Sequence, residues 1–344
     1  MTASPNSRRT AFSTIDLDKP GKQIGWIMLP HSTHDDAWGV TRIPIAVISN
    51  GKGPTVILEG GNHGDEYEGP IAICDLAREL DPGTVQGRLI LMPANNVHAV
   101  VAGTRTSPVD GLNLNRTFPG DALGSITQQI SDFVANEIFP CGNAFLDLHS
   151  GGSSLDLLPS TIIEPTVDSE LHRRNLAAAQ AFGAPFTVVI GNYGDMRTAT
   201  ATACAAGLTT VGTELGGGGS VRLENLELCR SGIRRVLIHF GMLADDENGL
   251  QPPLGSASSL LEIPAPRAFV YATTDGIFEP YHPNGQIVHA GDAAGRIHPV
   301  WEPAQEPVTL YYQSDGILYG RRHPGRVRPG NCCLVVASPY TGPF

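Results

Sequence analysis

Chemistry-bearing residues gather first in Gly60-Gly61-Asn62-His63-Gly64-Asp65-Glu66, where an imidazole and a carboxylate stand three positions apart. A His and a Glu leaving one tight turn can reach a single cation. Both suit zinc, and a catalytic zinc typically takes three protein ligands and keeps a fourth position for water. The best third ligand is His149, at the end of Phe145-Leu146-Asp147-Leu148-His149 and followed by Ser150-Gly151-Gly152. Another carboxylate, Glu214, closes Thr209-Thr210-Val211-Gly212-Thr213-Glu214 and precedes Leu215 and the glycines Gly216 to Gly219. Arg105 and the pair Asn115-Arg116 lie in the polar stretch 103–120. Asn115 beside Arg116 offers a fork of donors suited to a carboxylate. Taken singly, each group has a plainer reading. His63 and Glu66 could be ordinary turn residues, Asn115-Arg116 a solvated loop with a salt bridge, and Glu214 a turn or cap carboxylate.

The elements around these residues favour convergence. Thr55-Val56-Ile57-Leu58 and Phe145 to Leu148 are short apolar runs and read as buried strands, as does the β-branched run ending in Glu214. Strands of one parallel sheet present their C-terminal ends on the same edge, which is where α/β sheets place their sites. Asp147 lies two residues before His149, on the same face of its strand. It could orient a metal-binding imidazole from behind. Helices are expected over 70–80, 125–139, 171–182, 198–206 and 223–243. Further strands are expected over 23–29, 43–49, 88–92 and 186–190. The fold class is therefore α/β: a mixed, largely parallel sheet flanked by helices.

Composition bounds the answer. The chain has 344 residues, 41% of them hydrophobic, and a net charge of −11. That balance argues against nucleic acid or an anionic membrane as the main partner. No run approaches the ~20 apolar residues of a membrane span, and residues 1–20 lack an apolar signal core. The six cysteines follow neither a disulfide nor a zinc pattern, so a cytoplasmic location is expected.

Residues 244–259 turn acidic and then rich in Pro, Gly and Ser, and read as a linker. The organisation expected is a catalytic domain over 1–245 and an all-β domain over 260–344. The second domain carries an internal echo. Asp275-Gly276-Ile277-Phe278 and His282-Pro283 return as Asp315-Gly316-Ile317-Leu318 and His323-Pro324. The two halves resemble the barrel-sandwich fold of biotinyl and lipoyl carriers. Those carriers need a modified lysine, and none follows Lys52. The domain is expected instead to wall a cleft or to mediate assembly into a homo-oligomer.

Taken together, Gly-Asn-His-Gly-Asp-Glu, the Asn-Arg of the mid-chain loop, Asp-Leu-His-Ser-Gly and Thr-Glu-x-Gly-Gly resemble the succinylglutamate desuccinylase/aspartoacylase family, itself related to the zinc carboxypeptidases. The resemblance runs over roughly residues 40–340, with the motifs in the family's order. It implies one zinc held by His63, Glu66 and His149. It further implies Glu214 as general base, Arg105 as the group polarising the scissile carbonyl, and Asn115 and Arg116 as the grip on a substrate carboxylate. The activity implied is hydrolysis of a small N-acyl amino acid. The branch most resembled deacetylates Nα-acetyl-L-2,4-diaminobutyrate in ectoine breakdown. A deacylase of dicarboxylic N-acyl amino acids, a zinc carboxypeptidase and a non-catalytic binding module are the alternatives. Glu164 and Asp195 are equal candidates to meet a side-chain ammonium, and Tyr281 is a candidate to reach the site from the second domain.

Overall fold

A computed structural model describes residues 11–191, 194–245 and 258–342. Most of the linker expected at 244–259 therefore lies outside the described residues. The chain opens with β1 (Phe12–Ser13), β2 (Gly21–Pro30), β3 (Val40–Asn50) and β4 (Thr55–Gly60), then α1 (Glu68–Glu79), β5 (Gly87–Met92), α2 (Val97–Ala102) and α3 (Ile126–Phe133). Next come β6 (Ala144–His149), β7 (Leu155–Leu157), β8 (Ser160–Ile163), α4 (Ser169–Phe182), β9 (Phe186–Val189), α5 (Ala199–Ala205), β10 (Thr209–Glu214) and α6 (Leu223–His239). The C-terminal part holds β11 (Ser259–Glu262), β12 (Phe269–Tyr271), β13 (Gly276–Pro280), β14 (Ile287–Val288), β15 (Ala293–His298), β16 (Val308–Tyr311), β17 (Gly316–Arg322), β18 (Arg326–Val327) and β19 (Cys332–Pro339).

At the centre β5, β4, β6 and β10 run parallel in that order, with β3 and β2 antiparallel beyond β5. Every residue of β4 is buried, as expected of a parallel strand covered on both faces. Alternation along the strands builds two cores. Leu58, Leu146 and Val211 pack with Ile73 of α1, Phe182 of α4 and Val236 of α6. Ile57, Phe145 and Ile90 pack on the other side with Ile130 and Phe133 of α3 and Ala203 of α5. Burying each such large apolar side chain stabilises the fold by roughly 1.5–3 kcal/mol. Among the described residues no helix is long and apolar enough to cross a membrane.

Two helices stop earlier than their apolar periods suggest. α3 ends at Phe133 and continues as a wider π turn over Val134–Ile138. A tight turn at Phe139–Cys141 follows, where Pro140 has no N–H to continue the ladder. α6 ends at His239, where Gly241 adopts a left-handed φ of 68° and turns the chain away.

Behind β10 the sheet continues through β8, β9 and β11 to β19 and β17. β11 pairs with β9 on one side and β19 on the other, and so ties the C-terminal strands to the central sheet. A second sheet, β16-β15-β13-β18, faces them across Val270, Phe278, Ile297, Leu318 and Val336. The sequence echo opens β13 and β17, one strand in each sheet, and Phe278 and Leu318 meet in the core between them.

Candidate active site

His63 and Glu66 stand in the turn from β4 into α1. Three backbone hydrogen bonds hold that turn: Asn95 N to Gly60 O (3.0 Å), Asn96 N to Gly61 O (3.0 Å) and Gly64 N to Thr104 O (2.9 Å). Asp65 reaches across to the turn after β6, accepting from the Ser153 amide and hydroxyl at 2.7 Å each. The strand registers do the rest. His149 pairs with Glu214 across β6 and β10, and Leu148 pairs with Gly60 across β6 and β4. Beyond Glu214, Gly216 to Gly219 all take positive φ. A Cβ on Gly217 would overlap the Leu155 carbonyl, so the run of glycines lets the chain fold back onto β7 beside the site.

The Glu66 carboxylate is the hub. Its Oε1 lies 2.8 Å from His63 Nδ1 and its Oε2 lies 2.7 Å from His149 Nδ1. Ligand atoms from the three side chains lie within 4.8 Å of one another. The outer nitrogens are taken: His63 Nε2 is 3.1 Å from Asn113 Oδ1, and His149 Nε2 is 2.9 Å from Asp147 Oδ2. With each Nε2 facing an oxygen, the proton belongs there and Nδ1 is left to a cation. Two nitrogens and a carboxylate so arranged can hold a metal ion, and the donor set suits zinc.

Electrostatics follow from burial. Burial alone would raise the Glu66 carboxyl, but the two imidazoles outweigh it and hold the group well below the usual range. For His149 burial acts downward, and Asp147 with Glu66 more than reverses it. Glu214 is pushed up to about 8, by burial first and then by the Glu66 charge, with His149 and Arg105 opposing.

A cavity of about 170 Å³ adjoins these residues. His63, Glu66, His149, Glu214, Arg105, Asn115 and Arg116 all line it, together with Asp147. Arg105 is partly exposed and comes within 3.5 Å of Glu66 Oε1. Asn115 turns its Oδ1 to the Ala199 amide at the start of α5 (2.8 Å), which leaves Nδ2 on the cavity side, 3.4 Å from His149 Nε2. Arg116 donates to Asn115 O through Nη1 (2.6 Å) and reaches Asp195 Oδ2 through Nε (3.4 Å).

Two candidates fall away from the cavity. Asp195 takes both Arg116 and a two-point contact from Arg197 at 2.9 Å, and is not in the lining. Those Arg197 hydrogen bonds pull its carboxyl down to about 2. Tyr281 is exposed and also absent from the lining, whereas Tyr319 of β17 lines the cavity, with its hydroxyl 2.6 Å from Ser160. Phe269 and Val335 join Tyr319, so the C-terminal strands wall the cavity. Sequence reasoning also missed Asn113, whose only signal is its place two residues before Asn115.

Residues 52–240 match the Succinylglutamate desuccinylase/Aspartoacylase catalytic domain. The chain is 38% identical, over 98% of both chains, to the N-alpha-acetyl-L-2,4-diaminobutyric acid deacetylase of Halomonas elongata. It superposes with a TM-score of 0.92 on the product-bound ectoine utilization protein EutE (DoeB) of Ruegeria pomeroyi, at 38% identity and over 96% of this chain and 100% of that one. A succinylglutamate desuccinylase/aspartoacylase structure from Rhodobacter sphaeroides gives a TM-score of 0.89 at 42% identity, over 96% of this chain and 99% of that one. Likeness at this level of identity extends over the whole fold that carries the cavity, and the chain belongs to the succinylglutamate desuccinylase/aspartoacylase family of amidohydrolases.

Proposed function

We propose that the chain is a zinc-dependent deacetylase that hydrolyses Nα-acetyl-L-2,4-diaminobutyrate to acetate and L-2,4-diaminobutyrate. The observation that carries this reading is the meeting of His63, Glu66, His149, Glu214, Arg105, Asn115 and Arg116 in one small cavity. Its volume lies below the ~300–1,000 Å³ of pockets for drug-sized ligands, which favours a small substrate over a peptide. The acetyl-diaminobutyrate and the setting in ectoine breakdown are carried over from the Halomonas and Ruegeria relatives. Six cysteines, all unpaired, support a cytoplasmic setting.

A zinc ion held by His63, Glu66 and His149 would supply a Lewis acid and make water acidic enough to attack at neutral pH. Asp147 keeps the His149 ring in place from behind. Glu214, register partner of His149 on the neighbouring strand and in the lining of the same cavity, takes the proton of the attacking water and returns it to the leaving amine. Arg105 balances charge that develops on the acyl oxygen. Asn115 Nδ2 and the Arg116 guanidinium hold the α-carboxylate, a planar two-point contact that a lysine could not reproduce.

Amine release from Nα-acetyl-L-2,4-diaminobutyrate, N-acetylaspartate and N-succinylglutamate tests the reading. The first is expected to give the highest kcat/KM. A dianionic substrate turned over tenfold better, about 1.4 kcal/mol in transition-state binding, would replace it with an aspartoacylase-like activity.

A further inference from the structure

We infer that Glu164, supported by Thr200, is the specificity site for the side-chain ammonium of the substrate. The inference deepens the function proposed above and rests on it. Glu164 follows β8, whose Ile162 pairs with Gly212 of β10, so it lies below the Glu214–His149 level. It lines the same cavity as the His-Glu-His cluster and Arg116, and is only 6% exposed. Thr200 donates to its Oε1 at 2.7 Å and Thr198 to the same atom at 3.5 Å, while Oε2 accepts no hydrogen bond among the described residues.

Among the described residues no ammonium or guanidinium forms an ion pair with Glu164. Arg116 acts on it only from a distance and is engaged by Asp195 and Asn115. A buried carboxylate without a cation is costly. Burial accordingly raises the Glu164 carboxyl, and the two threonine hydroxyls offset only part of that. Gly212 lines the cavity with Ile162, Thr200 and Glu164, and even a methyl group there would press to 3.3 Å from Ile162 Cβ and 3.7 Å from Thr200 Cγ2, so the glycine keeps this part of the cavity open. Ile162 and Ile190 line the approach and suit the methylenes of a short side chain. One cavity thus holds a cationic grip for the α-carboxylate at Arg116 and an anionic group for a second charge of opposite sign. An ammonium two carbons beyond Cα completes the charge balance, and a side-chain carboxylate would meet Glu164 as a like charge.

The test compares kcat/KM for Nα-acetyl-L-2,4-diaminobutyrate with that for Nα-acetyl-L-norvaline, in which a methyl group replaces the ammonium. The wild type is expected to favour the diaminobutyrate. In Glu164→Gln the ratio of the two kcat/KM values should fall by at least about tenfold, the lower end of what a charge-assisted hydrogen bond contributes. A purely structural role would weaken both substrates together and leave the ratio unchanged. A wild-type preference that survives within about threefold in Glu164→Gln overturns this inference alone. A wild type that does not distinguish the two substrates overturns both this inference and the substrate proposed above. If Glu164→Gln does not fold, Glu164→Asp, which withdraws the carboxylate by one methylene, decides by the same ratio.

Discussion

Glu59 and Asp147 are register partners on β4 and β6, and both are completely buried, with Asp147 Oδ2 2.9 Å from His149 Nε2. Two adjacent carboxylates in that setting cannot comfortably both be charged. Burial, and then the Asp147 charge, pushes Glu59 up to about 8 from its ordinary 4.5, with Asn95, His149 and Asn62 opposing. Between those two values the folded protein holds a proton that the unfolded chain has released. The stabilising contribution is therefore complete below about 4.5 and is lost as pH rises through about 8. Glu59→Gln removes this titration while keeping an acceptor for Asn62. In metal-free buffer the Tm of Glu59→Gln minus that of wild type should grow from about pH 5 to about pH 8 and then level off. A difference that is flat or shrinks over that range would mean Glu59 is ionised throughout. This pairing was not legible in the sequence, and Glu164 stood there level with Asp195, because both questions depend on which strands lie side by side.

At the scale of elements, the turn between β4 and α1 is the most constrained piece of the site. Gly64 is pressed against α2, and a Cβ there would overlap the Ala99 carbonyl. Since the neighbouring atoms are backbone, they cannot swing aside. Gly64→Ala should destabilise the fold by about 1–3 kcal/mol, the range for overpacking, and should also weaken metal binding by displacing His63 and Glu66. Urea denaturation checks the first effect, and a stability within about 0.5 kcal/mol of wild type would contradict it. Elements such as β4, β6 and β10 were readable because their apolar runs are followed by glycines and by His or Glu. β7 and β8 were not, being three and four residues long, with Pro159 between them and Pro165 after β8. That gap hid the strand that delivers Glu164 to the cavity. α2, six residues over Val97–Ala102, was missed for the same shortness.

For the molecule as a whole, the cavity is a joint product of the central sheet and the C-terminal strands. Phe269, Tyr319 and Val335 come from β12, β17 and β19, while β7 threads from the His149 turn to pair with β17. The expectation that the last part of the chain walls a cleft follows from its all-β pattern and missing lysines. Which tyrosine it contributes does not: the sequence offered Tyr281, whose position no motif fixes, and the packing brings Tyr319 to the cavity instead. Residue, element and molecule meet in a metal held by His63, Glu66 and His149 and in proton transfer by Glu214. Measuring bound zinc and kcat for Nα-acetyl-L-2,4-diaminobutyrate on the same samples of wild type and Glu214→Gln tests it most directly. About one zinc per chain is predicted in both proteins. In Glu214→Gln the kcat should fall by about 10²–10⁴, the usual share of general acid–base catalysis, with KM little changed. A Glu214→Gln enzyme with near-normal kcat, or a wild type that stays fully active once its zinc has been removed, would contradict the account.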